Sequence, residues 1–303
     1  MLARALRISL SLELLLYLVL AMSLCDVSFV AAVPLAALAM LALRALLVAV
    51  TYAFAWVHRS SAARLSLRQA TLMVLGEYAS SLLSFMVIMP FEHWWMGDDR
   101  LPAAGQDRGP GGDFCARRAP VLLIHGYGCS RGAWWWLRQH LEAAGWTVAT
   151  ISLEPVYTSI DNYVDPVARR IDEVLAATGA QQVILVGHSM GGLVSRAYLQ
   201  RYGAARVARL VTLGTPHHGS VLARLGCGDN GRQMRPHSAW LQALAEPPAT
   251  VGTVAIYSPH DNFVMPPSLL ELRGAQNLTI DGVGHLAMLY SPRVVQALLT
   301  ALP

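Results

Sequence analysis

Gln182-Val183-Ile184-Leu185-Val186-Gly187-His188-Ser189-Met190-Gly191-Gly192-Leu193 is the stretch that decides the fold of this chain. An aliphatic, β-branched run enters Gly-His-Ser-Met-Gly, and a helix-competent segment from Leu193 to Arg201 leaves it without a spacer. The order is strand, sharp turn, helix. In such a turn the two backbones almost collide, so the positions two before and two after the serine must lack side chains; Gly187 and Gly191 meet that condition, and Gly192 relieves the crowding further. The turn lifts the Ser189 hydroxyl above the sheet edge, which marks Ser189 as a nucleophile. It also puts the Met190 N–H at a helix N-terminus, where it can stabilise an oxyanion. The plain alternative is a Gly-Ser turn matched by chance, and the strand before it and helix after it argue against that.

Working outward, short aliphatic runs alternate with longer amphipathic stretches from Pro120 onward. Val121–Ile124, Thr147–Ile151, Val183–Val186, Leu210–Leu213, Thr253–Tyr257 and Asn277–Ile280 read as strands. Ala133–Ala144, Val164–Ala177, Leu193–Arg201 and Arg293–Leu302 read as helices. This alternation predicts an α/β domain, a mostly parallel sheet covered on both faces. After the first strand comes His125-Gly126-Tyr127-Gly128, a loop that can turn the Tyr127 N–H toward the serine as a second oxyanion donor. Standing alone it would be an ordinary strand-to-helix turn.

A serine hydroxyl needs a general base, and the base needs an orienting acid, found in this architecture in the chain order Ser, acid, His. Five histidines follow the serine: His217, His218, His237, His260 and His285. His285 lies just past the last strand in Asp281-Gly282-Val283-Gly284-His285, where a loop can swing its ring over the sheet edge, and it is read as the base. His217 and His218 are read as lining the substrate site or the base of a lid. Asp261, in Tyr257-Ser258-Pro259-His260-Asp261-Asn262, is read as the acid. Asp281 is its rival, Asp229 lies in an inserted segment, and a turn-capping role for Asp261 is the bland alternative.

Taken together, Val121–Gly128, Val186–Gly192, Leu213-Gly214-Thr215-Pro216-His217-His218-Gly219-Ser220, Ser258–Val264 and Gly282–His285 resemble the α/β-hydrolase lipases and esterases of bacteria. The resemblance covers Ala119 to Leu302 and leaves out the residues before it. It implies hydrolysis of carboxylic esters through an acyl-enzyme, with no cofactor and Ser189, Asp261 and His285 as the triad. Ser220 to Val251 is short beside the helical lids of well-studied secreted lipases, which predicts a small cap with a helix over Ser238–Ala245. No acidic pair matches the structural calcium of some bacterial lipases, so no metal is expected. Thioesterases and acyltransferases use the same triad, C–C bond hydrolases and haloperoxidases share the scaffold, and a binding module can keep the fold without the chemistry.

The N-terminal third is a different material. The chain of 303 residues is 54% hydrophobic and 14% charged, against about 25% charged in ordinary soluble domains. Leu6–Leu24, Val27–Val57 and Ala70–Phe91 are each long enough for a membrane-spanning helix, which takes about 20 apolar residues. A cleaved signal peptide is the alternative for the first, but Ala-Met-Ser-Leu-Cys-Asp is a poor cleavage site, and a lipoprotein reading of Leu24-Cys25 fares worse because another apolar run follows at once. Glu13 and Arg44 interrupt the first two segments and face each other or snorkel; Glu77, Ser80 and Ser81 make the third the weakest span. His93, Trp94 and Trp95 read as an interfacial belt or as a collar beneath the domain.

The expected organisation is thus a membrane region over residues 1–97 with two to three transmembrane helices, a Gly/Pro-rich linker over 98–118, and the hydrolase-like domain over 119–303 with its cap at about 220–251. Basic residues fall on alternate connections: Arg4 and Arg7 before the first span; His58, Arg59, Arg64 and Arg68 after the second. Three spans put the domain on the periplasmic side of a bacterial inner membrane. A packed third helix keeps it on the side of the N-terminus. The anchor points to membrane lipids as neighbours and to a hydrophobic ester as substrate. A net charge of +4 is small for this length, and nothing in the sequence points to nucleic acid. No pair among Cys25, Cys115, Cys129 and Cys227 has metal-ligand spacing, and one disulfide among the last three suits an oxidising compartment.

Overall fold

A computed structural model of the chain describes residues 1–58, 62–101, 118–247 and 250–303. Six parallel strands form the sheet: β1 (Val121–Ile124), β2 (Val148–Ile151), β3 (Val183–His188), β4 (Val207–Leu213), β5 (Gly252–Tyr257) and β6 (Gln276–Thr279), in the order β2-β1-β3-β4-β5-β6. Every residue of β1 and β3 is buried, which explains their unbroken apolar sequences: a parallel strand covered on both faces has no wet side to alternate with.

Successive side chains of a strand point to opposite faces, and the core divides accordingly. Val121 and Leu123 pack with α5 (Trp135–Ala143) and α10 (Pro292–Ala301) through Leu137, Leu141, Val294 and Leu298. Leu122 and Ile124 pack with α6 (Val164–Thr178) and α7 (Met190–Tyr202) through Val167, Ile171, Leu193 and Val194. Helix α6 stops where Gly179 turns left-handed at φ 71°. Each expected strand and helix of this domain is present, with ends moved by up to three residues; the largest shifts put the start of β4 at Val207 and that of α7 at Met190, directly against the serine.

Before the sheet come α1 (Leu2–Leu24), α2 (Phe29–Val57), α3 (Leu67–Leu82) and α4 (Glu92–Met96). Three helical stretches, Leu2–Leu24, Phe29–Val57 and Leu67–Met96, are long and apolar enough to cross a membrane. The third is continuous but uneven: Leu83–Ile88 widens into a π-turn and Met89–Phe91 tightens into a 3-10 turn, around Pro90, which has no N–H to give the helix ladder. Glu13 and Arg44 form a two-pronged ion pair between α1 and α2. Around it these two helices present apolar side chains outward, among them Leu12, Leu15, Val30 and Leu38.

The third helix behaves differently, for it lies along the C-terminal domain from end to end. Just before α3, the Ala63 carbonyl accepts from His260 Nε2–H at 2.9 Å. In its middle Glu77, wholly buried, accepts from the backbone of Leu286 and Ala287. Further on Ser84 bonds Tyr290 at 2.8 Å, and Met89 and Met96 join the core around Trp134. Gly132 permits this approach, since a Cβ there would stand 3.2 Å from Glu92 and 3.4 Å from Met89. Glu77, the charge that makes this segment a poor span, is also what grips the domain at its middle. Trp95 serves as a collar, edge-on to Trp135 with ring centroids 5.4 Å apart, while Trp94 stays exposed.

The expected linker also begins later than its composition suggests. The Asp99 carboxylate is buried at the edge of the sheet. It accepts from Thr150 N–H at 2.7 Å, Thr150 Oγ1 at 2.9 Å, Arg138 at 3.1 Å and Arg170 at 2.6 Å. Two arginines and a strand N–H satisfy the charge that burial would otherwise penalise. Residues 102–117 of that linker, Cys115 and Arg59 lie outside the described residues. Cys129 is buried with its thiol pushed up to about 12 by burial; it, Cys25 and Cys227 are free thiols.

Candidate active site

Ser189 adopts φ 53° and ψ −124°, a backbone conformation a side-chain-bearing residue rarely takes. The surroundings compel it. A Cβ on Gly191 would fall on the Ile124 carbonyl and one on Gly187 on the Gly191–Gly192 peptide, so strand and helix meet backbone to backbone. Gly192 has a stricter reason than general crowding, because its Cβ would strike the Thr215 side chain. Ser189 N–H donates to Leu213 O at 2.8 Å, which ties the turn to β4.

The His125–Gly128 loop arches over this turn. A Cβ on Gly126 would stand 2.8 Å from Ser189 Cβ and 3.2 Å from His188 O, so only glycine lets the loop come so close. Leu153 N–H donates to His125 Nε2 at 2.8 Å, and His125 Nδ1–H donates to Gly126 O at 2.9 Å. Burial lowers the His125 pKa to about 4, which keeps the ring in that neutral tautomer and the loop in place. Among the described residues neither Tyr127 N–H nor Met190 N–H donates to a protein acceptor. The Tyr127 hydroxyl meanwhile donates to Cys227 O at 2.9 Å and accepts from Cys227 N–H at 2.8 Å, joining the loop to the cap.

The acid and the base meet across 24 residues of sequence. His285 Nδ1–H donates to Asp261 Oδ2 at 2.7 Å, and Asp261 Oδ1 accepts from Phe263 N–H at 2.7 Å and Val264 N–H at 2.8 Å. This fixes the tautomer and leaves His285 Nε2 free to take a proton. Burial pushes the His285 pKa down, but the charge of Asp261, its hydrogen bond and the charge of Glu77 outweigh burial, and the net shift is upward. His188 sits between turn and base: its ring lies 4.6 Å from that of His285, and its Nε2–H donates to His285 O at 3.1 Å. Burial, then the charge of His285, hold His188 well below the ordinary range. Among the described residues Ser189 Oγ makes no hydrogen bond, so the turn and the Asp261–His285 pair stand as neighbours without a bond between them.

Asp281, the rival acid, is mostly exposed and lies nearest His260, at 3.8 Å. His217 is placed away from the expected lining position. Its Nε2–H donates to Thr212 Oγ1 at 3.0 Å, its carbonyl accepts from Arg196 at 3.1 Å, and the ring is buried between α7 and β4 as a brace. His218 turns its side chain to solvent while its N–H donates to Leu269 O at 3.1 Å. The cap over 220–251 consists of a 3-10 turn (Val221–Leu225), α8 (Gly228–Gln233) and α9 (Ala239–Ala243), with residues 248 and 249 outside the described set. It is fastened down: Asp229 N–H donates to Tyr157 O at 3.1 Å and Trp240 Nε1–H to Asp161 at 3.0 Å.

Residues 119–226 match the family model for the alpha/beta hydrolase fold. The C-terminal domain has the α/β-hydrolase fold. Over 118 residues the chain is 36% identical to a triacylglycerol lipase of Pseudarthrobacter phenanthrenivorans, a match covering 36% of the chain and 37% of the relative. A triacylglycerol lipase of Burkholderia plantarii is likewise 36% identical over 118 residues, 36% of the chain and 33% of the relative. The chain therefore spans about a third of the length of these curated relatives. Among solved structures, mature Bacillus licheniformis lipase BlEst2 superposes with a TM-score of 0.54 at 20% identity over 61% of this chain and 92% of that one. Aspergillus fumigatus lipase B gives 0.53 at 21% identity, over 59% and 51%. At such identity the superpositions speak for the fold alone.

Two supports of the candidate site have no role in the sequence reading. Asn262 Oδ1 accepts from His285 N–H at 3.0 Å while its amide donates to Thr51 Oγ1 of α2 at 2.7 Å. Glu77 of α3 holds the next two N–H groups. The only local sign of Glu77 was an acid in an apolar run, a feature with many explanations.

Proposed function

We propose that this protein is a serine hydrolase of carboxylic esters with hydrophobic acyl groups, working through an acyl-enzyme on Ser189. The observation that carries the reading is the buried Asp261–His285 hydrogen bond, 2.7 Å long, beside the strained Ser189 turn. In the proposed cycle His285 Nε2 takes the Ser189 proton as Oγ bonds to the ester carbonyl carbon. The carbonyl electron pair moves to oxygen, where the N–H groups of Tyr127 and Met190 receive the charge. Collapse of that intermediate breaks the bond to the alcohol, which leaves with the proton from His285. Water, deprotonated by the same imidazole, then repeats the attack and frees the acid and Ser189. Oxyanion donors of this kind are each worth roughly 10²–10³ in kcat.

The preference for hydrophobic acyl groups is supported by the names of the two curated relatives and by the apolar helices joined to the domain. Those helices also suggest a topology. Because the segment from Ala63 to Met96, with α3 within it, grips the domain along its length, it cannot cross hydrocarbon without dragging the irregular 281–290 loop in with it, and lipid-exposed irregular backbone is excluded there. The packed-helix alternative is therefore preferred: α1 and α2 form a two-span hairpin. The domain then shares the side of Arg4, Arg7, Arg64 and Arg68, which the positive-inside rule makes cytoplasmic.

The test of the activity is fluorophosphonate labelling of detergent-extracted protein, wild type against Ser189→Ala, followed by p-nitrophenyl esters of short and long acyl chains. Label on the wild type alone, with turnover rising with chain length, is the expected result. Folded wild type that takes no label removes the catalytic reading.

A further inference from the structure

Glu77 is a fully buried acid on an apolar helix, and it grips the backbone immediately after the base. Leu286 N–H donates to its Oε1 at 3.1 Å and Ala287 N–H to its Oε2 at 2.9 Å. On the other side of His285 the chain comes so near that a Cβ on Gly284 would land on the Glu77 carboxylate, and 2.6 Å from the Tyr52 hydroxyl. With Asn262 holding His285 N–H, three consecutive amides at the base are fixed by side chains, two of them by α3. Burial raises the Glu77 pKa on balance, while the two N–H donors, one to each oxygen, work against burial and favour the ionised carboxylate above that raised pKa.

We propose that Glu77 is a positioning residue for His285: it fixes the peptide segment that carries the imidazole and sets a second negative charge behind Asp261. The proposal rests on the ester-hydrolase reading above. A buried carboxylate bonded to backbone can also serve only to hold a helix to a domain, in which case its loss lowers stability and leaves the chemistry of the folded fraction alone. The two roles part company in the pH profile. The ionisable groups facing His285 are Asp261 from the loop after β5, His188 from the end of β3, Glu77 from α3 and, behind Glu77, Tyr52 from α2. His260 and Asp281 stand at the far end of the same loop. Removing one anion from this set makes the imidazole easier to deprotonate, so the rise of kcat/KM with pH begins lower.

The experiment uses the full chain in detergent and compares wild type, Glu77→Gln and Glu77→Asp by p-nitrophenyl ester hydrolysis across pH, fluorophosphonate labelling and thermal melting. Glu77→Gln is expected to cut kcat/KM about 10- to 100-fold, by analogy with the loss of groups that orient metal ligands from behind. KM should change little, and the rising limb should move to lower pH by roughly half a unit or more. Glu77→Asp keeps the charge with a shorter reach, so its limb stays with the wild type and its rate falls between the two. Wild-type rate and limb in Glu77→Gln overturn the proposal, as does an equal loss in both variants with no movement of the limb. Should Glu77→Gln not fold, Glu77→Asp decides, and an unchanged kcat overturns it. Wild type that takes no label is the failure of the hydrolase reading; full labelling indifferent to residue 77 is the failure of this proposal alone.

Discussion

At the scale of single residues, the Asp261–His285 bond makes two demands. Asp261→Asn preserves the shape but offers an N–H or a weaker acceptor to Nδ1, so the ring flips to the tautomer that cannot accept the serine proton. A fall in kcat of about 10⁴ with KM nearly unchanged is expected from ester kinetics on folded protein. The pH dependence has a definite sign. Asp261 and Glu77 favour the imidazolium more than burial disfavours it, so the pKa of His285 lies above 6.5. Activity should fall as pH drops through that raised value, because a protonated ring cannot act as base; a pH–kcat/KM profile checks it. The strained turn at Ser189 and the pairing of Asp261 with His285 could be anticipated from the sequence, because glycine spacing and a chain-order rule tie these three candidates to local patterns. The grip of Glu77 could not, since its partners stand 209 and 210 residues away. His217 was misread for a related reason: its Thr-Pro-His-His neighbourhood locates the loop but not the direction of a ring that Arg196 and Thr212 claim.

At the scale of elements, the alternating pattern predicted all six strands, most plainly β1 and β3, which are buried on both faces and so leave near-continuous apolar runs, and least plainly the polar, largely exposed β6. It missed the first turn of α7, since Met190-Gly191-Gly192 has poor helix propensity and is helical only because the elbow requires it. The loop from His125 to Gly128 gives a test of how closely an element must sit. Gly126→Ala puts a methyl group 2.8 Å from Ser189 Cβ, and the loop must lift away with the Tyr127 N–H. A loss of about 10²-fold in kcat is expected, the effect of one oxyanion donor. Thermal unfolding should shift only modestly, because the strands beneath are untouched. Asp99, at the start of the stretch read as linker, looks like solvated charge in the sequence, whereas two arginines and Thr150 enclose it.

At the scale of the whole molecule, apolar length announced helices but could not say which of them cross a bilayer. That depends on what covers each face, and for α3 the cover is the domain. The two-span topology predicts that Cys25, in the turn after α1, and Cys227, on the cap, lie on opposite sides of the membrane, both being exposed. In sealed vesicles carrying single-cysteine variants, an impermeant maleimide should label one and spare the other. Labelling of both from one side contradicts the hairpin. The grip of Glu77 on Leu286 and Ala287 also bears on how the protein is born. Ribosomes add roughly 5–20 residues per second, so the 209 residues between Glu77 and Leu286 take on the order of 10–40 s to emerge. Late in that interval Ser189 has emerged while its proposed base has yet to be synthesised. On the proposed reading a nascent chain is therefore inert, and acquires its chemistry only when late sequence closes onto early sequence.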